Sequence, residues 1–130
     1  MFKVAILCII GVLFAGCSGK PKCDSDESQR LVMESVEKTV KKQLAMRLNP
    51  SIAGDEWQIG LSPENKEMVE FNYKEFGPVL ENIMTIKQED ESSAVQCTVE
   101  LRFRNAQKFN LYYVLQKDTN GKLHATVEWR

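Results

Sequence analysis

From Val79 the apolar period changes to two, whereas from Asp24 to Leu48 apolar residues recur at helical spacing. No other feature constrains the fold as much. A period near 3.6 lays an apolar stripe along one side of a helix, and a period of 2 lays it on one face of a strand. The alternation is cleanest where Val95, Cys97, Val99, Leu101 and Phe103 point one way, and Gln96, Thr98, Glu100, Arg102 and Arg104 the other. A third strand places Phe109, Leu111, Tyr113 and Leu115 on one face, and a last strand does the same with Leu123, Ala125, Val127 and Trp129. The first strand, 79–88, is mixed in pattern. Glu89 to Ser93 and Asn105 to Gln107 read as turns, and Asn120-Gly121 predicts a type I′ hairpin, whose positive φ angles suit that pair.

In the helical segment, Val32, Val36, Val40, Leu44 and Leu48 form the stripe. Asp24 with Glu27 matches a capping box, and Asn49-Pro50 ends the segment. Glu34 with Lys38 and Glu37 with Lys41 are favourable i, i+4 pairs, so the charges read as a solvated helix face. Trp57, Ile59 and Leu61 alternate, which predicts a short strand. Ser62-Pro63-Glu64 then reads as a helix start, and Gly77-Pro78 as its end. Phe71 falls off the apolar stripe of that second helix.

The N-terminus carries a different signal. Lys3 is followed by an unbroken apolar run from Val4 to Phe14, of signal-peptide length and too short to cross a bilayer core of ~30 Å. Leu13-Phe14-Ala15-Gly16-Cys17 closes it. This resembles the lipobox of bacterial lipoproteins, in which signal peptidase II cuts before the cysteine and that cysteine is acylated. The resemblance implies a signal peptide at 1–16, lipidation at Cys17, a short tether at 17–22 and one domain at 23–130. Ser18 in place of Asp implies outer-membrane sorting, facing the periplasm, in a cell with an outer membrane. Cys8 would leave with the signal and Cys17 would be acylated, so Cys23 and Cys97 are the pair left to close in an oxidising compartment. A bridge across ~75 residues stabilises by roughly 4 kcal/mol in the chain-entropy model. It would hold the domain within ~20 Å of the lipid.

Together these readings predict an α+β fold. A long N-terminal amphipathic helix packs on a curled antiparallel sheet of about four strands, stapled by the disulfide, because neither apolar surface can bury itself alone. In outline the order of elements resembles the cystatin-like and nuclear-transport-factor-2-like rolls, a likeness of topology without a motif.

Chemistry-bearing residues are few. The formal charge of −1 offers no basic face for nucleic acid. His124, the single histidine, falls on the polar side of the last strand, and no serine or cysteine sits in a nucleophile setting. Glu89-Asp90-Glu91 lacks calcium-loop spacing, and no metal or cofactor is expected. The outer sheet face gathers Glu100, Arg102, Arg104, Lys108, Tyr112, His124 and Glu128, with Asn110, Thr126 and Arg130 among them. Its arginine and tyrosine content suits an interface. The leading expectation is therefore a non-enzymatic, lipid-anchored cell-envelope module that engages another envelope or exported protein through that face. The alternative is a small-ligand binder or enzyme with a pocket between helix and sheet, lined by Trp57, Tyr73, Tyr113 and Trp129.

Overall fold

A computed structural model of the protein describes residues 21–51, 57–58, 60–88 and 94–130. Helices α1 (Asp26–Leu48) and α2 (Pro63–Phe76) precede strands β1 (Val79–Gln88), β2 (Val95–Arg102), β3 (Lys108–Lys117) and β4 (Leu123–Trp129).

Helix α1 starts one step later than the expected capping box. Its N-cap is Ser25, whose Oγ accepts the Ser28 N–H at 3.1 Å. The buried Ser28 hydroxyl donates to Lys22 O at 2.7 Å, which ties the chain before the helix onto its first turn. Val32, Val36, Val40 and Leu44 are buried along one stripe, as their spacing requires. Lys41 is buried beside them. Its Nζ donates to Glu37 Oε2 at 2.5 Å and to Glu70 Oε2 at 2.6 Å, and it lies 5.2 Å from the centre of the Tyr73 ring. Burial opposes its charge, but the two carboxylates outweigh burial and hold the ammonium above its ordinary range. This contact fastens α2 to α1. Ser62 caps α2, Pro63 opens it and Gly77 closes it at φ +54°. Ile59 of the expected strand at Trp57–Leu61 lies outside the described residues, and the described ones show no strand: 57, 58 and 60 trace turns and 61 a bend, with Trp57 and Leu61 entering the core singly.

The strands pair antiparallel in the order β1-β2-β3-β4. The register aligns Cys97 with Tyr113 and Val127, Val99 with Leu111, and Leu101 with Phe109. These residues alternate inward, and the inner face of β2 and β3 is almost wholly buried against the α1 stripe. The Cys23–Cys97 disulfide, with Cα atoms 5.8 Å apart, joins the approach to α1 to the centre of β2. The helix-on-sheet α+β arrangement and the staple are therefore present, but the curled roll is not. The sheet is open, with β1 and β4 as its edges. Irregularities in register fall on β1, around Asn82 and before Lys87, while the β2–β3 and β3–β4 ladders run without a break. Bulges are what bend a sheet, and confined to one edge they leave it open.

Both hairpins flanking β3 use one turn design. Phe103 N donates to Gln107 O and Ala106 N to Phe103 O, each at 2.9 Å; Asp118 N donates to Lys122 O and Gly121 N to Asp118 O, also at 2.9 Å. The fourth residue is left-handed in each, Ala106 at φ +73° and Gly121 at φ +82°. Asn120 does not share that conformation, so the expected type I′ turn gives way to a tight turn closed by one left-handed residue. Asp118 Oδ1 steers this outcome by accepting both Asn120 N at 2.8 Å and Lys122 N at 2.9 Å. Alanine pays a steric penalty in the conformation that glycine adopts freely. Ala106→Gly is therefore expected to stabilise the fold, and Gly121→Ala to destabilise it, each by about 0.5–1 kcal/mol. Urea midpoints that move in opposite directions at unchanged slope would bear this out.

Candidate functional site

A groove of about 400 Å³ lies between the C-terminal half of α1 and the far ends of the strands. One wall is helical: Val40, Gln43, Leu44 and Arg47 fall on one side of α1 at i, i+3, i+4 and i+7. The opposite wall is aromatic. Phe76, Phe103, Phe109 and Trp129 form a chain of rings whose successive centres are 5.4, 5.5 and 5.6 Å apart, the last two contacts edge-to-face.

Four separate elements place these rings. Phe76 ends α2, and its carbonyl accepts Arg104 N at 2.7 Å, which holds the helix end against the β2–β3 turn. Phe103 leaves β2 and Phe109 enters β3 on either side of that turn, both on the inward side. Trp129 stands beside Leu111 near the end of β4. Gly77 is needed for its left-handed φ, and the Arg104 guanidinium packs close over it.

The groove's polar groups stand at its rim. Gln43, Arg47 and Gln107 are exposed, whereas Phe76, Phe109 and Trp129 are half-buried and Phe103 is buried. Arg47 has no ion-pair partner among the described residues. Two other depressions are more polar. One of about 610 Å³ runs along the charged side of α1 over Glu37, Lys38 and Lys41. Another of about 500 Å³ separates Arg30 and Lys38 from Lys122 and His124.

Of the aromatics expected to line a pocket, Trp129 does so. Tyr113 is buried in the core instead, and its hydroxyl donates to Cys23 O at 2.8 Å. Tyr73 packs at the α1–α2 contact and Trp57 borders the charged depression. Phe76, Phe103, Phe109 and Arg47 were not foreseen as lining. The signal available was the pair of phenylalanines bracketing a turn at the end of two inward-facing registers.

The outer sheet face is taken up largely with itself. Arg102 Nε donates to Glu81 Oε2 at 2.8 Å, Asn82 Nδ2 to Glu100 Oε1 at 2.9 Å, and Lys108 Nζ lies 4.0 Å from Glu100. Tyr112 sits across from Glu128 and beneath the Arg130 guanidinium, 4.3 Å from its ring centre, while Arg130 also holds Glu128 at 2.9 Å. His124 bonds Asp118 at 2.9 Å, which holds that carboxyl below its usual range, helped by backbone N–H bonds. Arg104 is not part of this face. The strand ends at Arg102, and the Arg104 side chain turns back onto Gly77.

The lipid-anchored reading does not stand. Cys17 lies outside the described residues, and the first cysteine the structure describes, Cys23, has its sulfur committed to Cys97, which excludes a thioether to lipid there. No helix of the described residues is long and apolar enough to cross a membrane. The bilayer partner, the exported-protein partner and the outer-membrane location expected from the N-terminal resemblance fall with it. Among the described residues no three His, Cys, Asp or Glu side chains gather as a metal site would need. The fold and groove define a small disulfide-stapled α+β protein with one aromatic-walled cleft. No protein-family model, curated protein or solved structure matches the chain.

Proposed function

We propose that the protein binds a small, largely apolar molecule in the groove between α1 and the aromatic wall, by association without chemical turnover. The observation that carries this reading is the continuous chain of Phe76, Phe103, Phe109 and Trp129 facing Val40 and Leu44 across an open space, with Gln43, Arg47 and Gln107 exposed at the rim. A space of this size is at the small end of the range for ligand sites, and apolar walls with a few polar groups at the edge are their usual chemistry. Rings left half-exposed at the groove gain contact area when a ligand covers them, with edge-to-face contacts adding to that gain.

Titration with 4-phenylbutanol, followed by the indole N–H resonance of Trp129, tests it. Saturable shifts are expected at Trp129 and around Phe109. Gln43→Trp, at an exposed helix position facing the groove, is expected to fill the space and weaken binding by at least about tenfold without unfolding the chain. Shifts that never saturate, or that survive Gln43→Trp unchanged, would remove the reading.

A further inference from the structure

We infer that the ligand of this groove carries a carboxylate, held at the rim by Arg47; the inference rests on the small-ligand reading above. Arg47 stands one turn beyond Gln43 and on the same side of α1 as Leu44, so the apolar floor and the cation belong to one stripe. A cation in the last turn of a helix is accounted for by the helix dipole alone. That account does not explain its place at the mouth of an aromatic groove with no carboxylate opposite it. Elsewhere on the described surface the arginines have acidic or close-packed neighbours: Arg30 with Glu34, Arg102 with Glu81, Arg130 with Glu128, and Arg104 against Gly77. Carboxylates engage Arg30, Arg102 and Arg130, whereas the guanidiniums of Arg47 and Arg104 have no acceptor among the described residues, and of these two only Arg47 lines the groove.

The other rim groups favour the same chemistry. Across the groove, Gln107 Oε1 accepts Asn105 Nδ2 at 3.2 Å, and the amide N–H groups of Gln107 can donate to a ligand. Gln43 adds a second amide beside Arg47. The polar lining is therefore one guanidinium, two side-chain amides and the Thr39 hydroxyl, with no acidic side chain among the groove's lining residues. A planar carboxylate suits a guanidinium in two-point contact, while an ammonium or a metal ion would meet the like charge of Arg47 with no carboxylate in the lining to offset it. The end of α1 presents carbonyls and not N–H groups, so the anion is held by side chains and not by the helix terminus. The class of ligand is accordingly an aryl- or alkyl-carboxylate, with its apolar body along the Phe76–Trp129 wall and its charged end outward.

The test compares 4-phenylbutyrate with 4-phenylbutanol on the chain at neutral pH, by the same Trp129 resonance and by calorimetry. The carboxylate is expected to bind about tenfold more tightly, and Arg47→Gln to erase that advantage by weakening the carboxylate far more than the alcohol. Added salt should weaken the carboxylate alone. Equal binding of the two probes, or a carboxylate preference that survives Arg47→Gln, overturns the carboxylate inference and leaves the groove reading intact. Failure of both probes to bind overturns both.

Discussion

Removing the bridge by Cys23→Ala with Cys97→Ala is expected to lower stability by about 4 kcal/mol, the largest effect of any change considered for this protein. The link spans a sequence separation of 74 residues, and closing so long a loop takes a large share of the unfolded chain's freedom. The native side adds to this. Both sulfurs are buried, and Thr85 Oγ1 lies 3.2 Å from Cys23 Sγ, so the truncation also leaves a small void between the start of α1, β1 and β2. Small domains have about 5–15 kcal/mol in all, so a loss on this scale removes a large fraction of the total. Equilibrium urea unfolding of the double variant, set beside the parent with and without reductant, checks it. A midpoint lowered by reduction to that of the double variant locates the effect in the bridge, while an unchanged midpoint would mean that the loop is already restrained in the unfolded chain.

The second large effect is with pH. Tyr113 is buried at the centre of the sheet, and burial, with a contribution from the Asp24 charge, pushes its phenol up to about 12. An unfolded tyrosine ionises near 10. The folded value is the higher one, so the stability that Tyr113 supplies is complete below pH 10 and is lost as the pH rises from there to about 12. A gap of this size corresponds to roughly 2–3 kcal/mol. Lys41 acts in the same sense. Its folded value is raised, so its contribution is present below the unfolded value and disappears as the pH climbs through the folded one. The protein is therefore expected to be much less stable at pH 11.5 than at pH 8. Tyr113→Phe isolates the main source. At neutral pH it should cost about 1 kcal/mol, because Cys23 O loses its donor. Between pH 10 and 12 it should flatten the decline, so that the two curves converge and then cross. Parallel curves for the variant and its parent would rule out the phenol as the source.

The groove shows where reading residues succeeds and where it stops. Inward alternation placed Leu111, Tyr113 and Leu115 on the buried face, and they are there. It equally put Phe103, Phe109 and Trp129 on that face, but could not say that α1 stops short of covering them. That depends on where the helix lies on the sheet, and here it lies alongside β4 and α2. Arg47 is legible as a C-terminal helix cation, while its seat beside aromatic rings depends on the β2–β3 turn and on Gly77. Likewise the polar alternation of Glu100, Arg102 and Tyr112 was visible in the sequence. The partner of Glu100 came in part from the bulge at Asn82, which aims its side chain at Glu100 and which no pattern announces.

By itself, then, the order of residues determined the things that local physics decides: which segments are helix or strand, which side of each is apolar, and where Ser62, Pro63 and Gly77 begin and end α2. It also left Cys23 and Cys97 as partners. The turn geometry at Asn120-Gly121, the cap at Ser25 and the single entry of Trp57 and Leu61 into the core were settled by competing hydrogen bonds and burial within the folded chain. Only the tertiary structure decided that the sheet stays open, that the outer charges satisfy one another and that an aromatic wall is left half-covered. The reason is that alternation specifies facing and not distance. How closely two apolar surfaces meet depends on every side chain between them, and that is known only when the elements are packed.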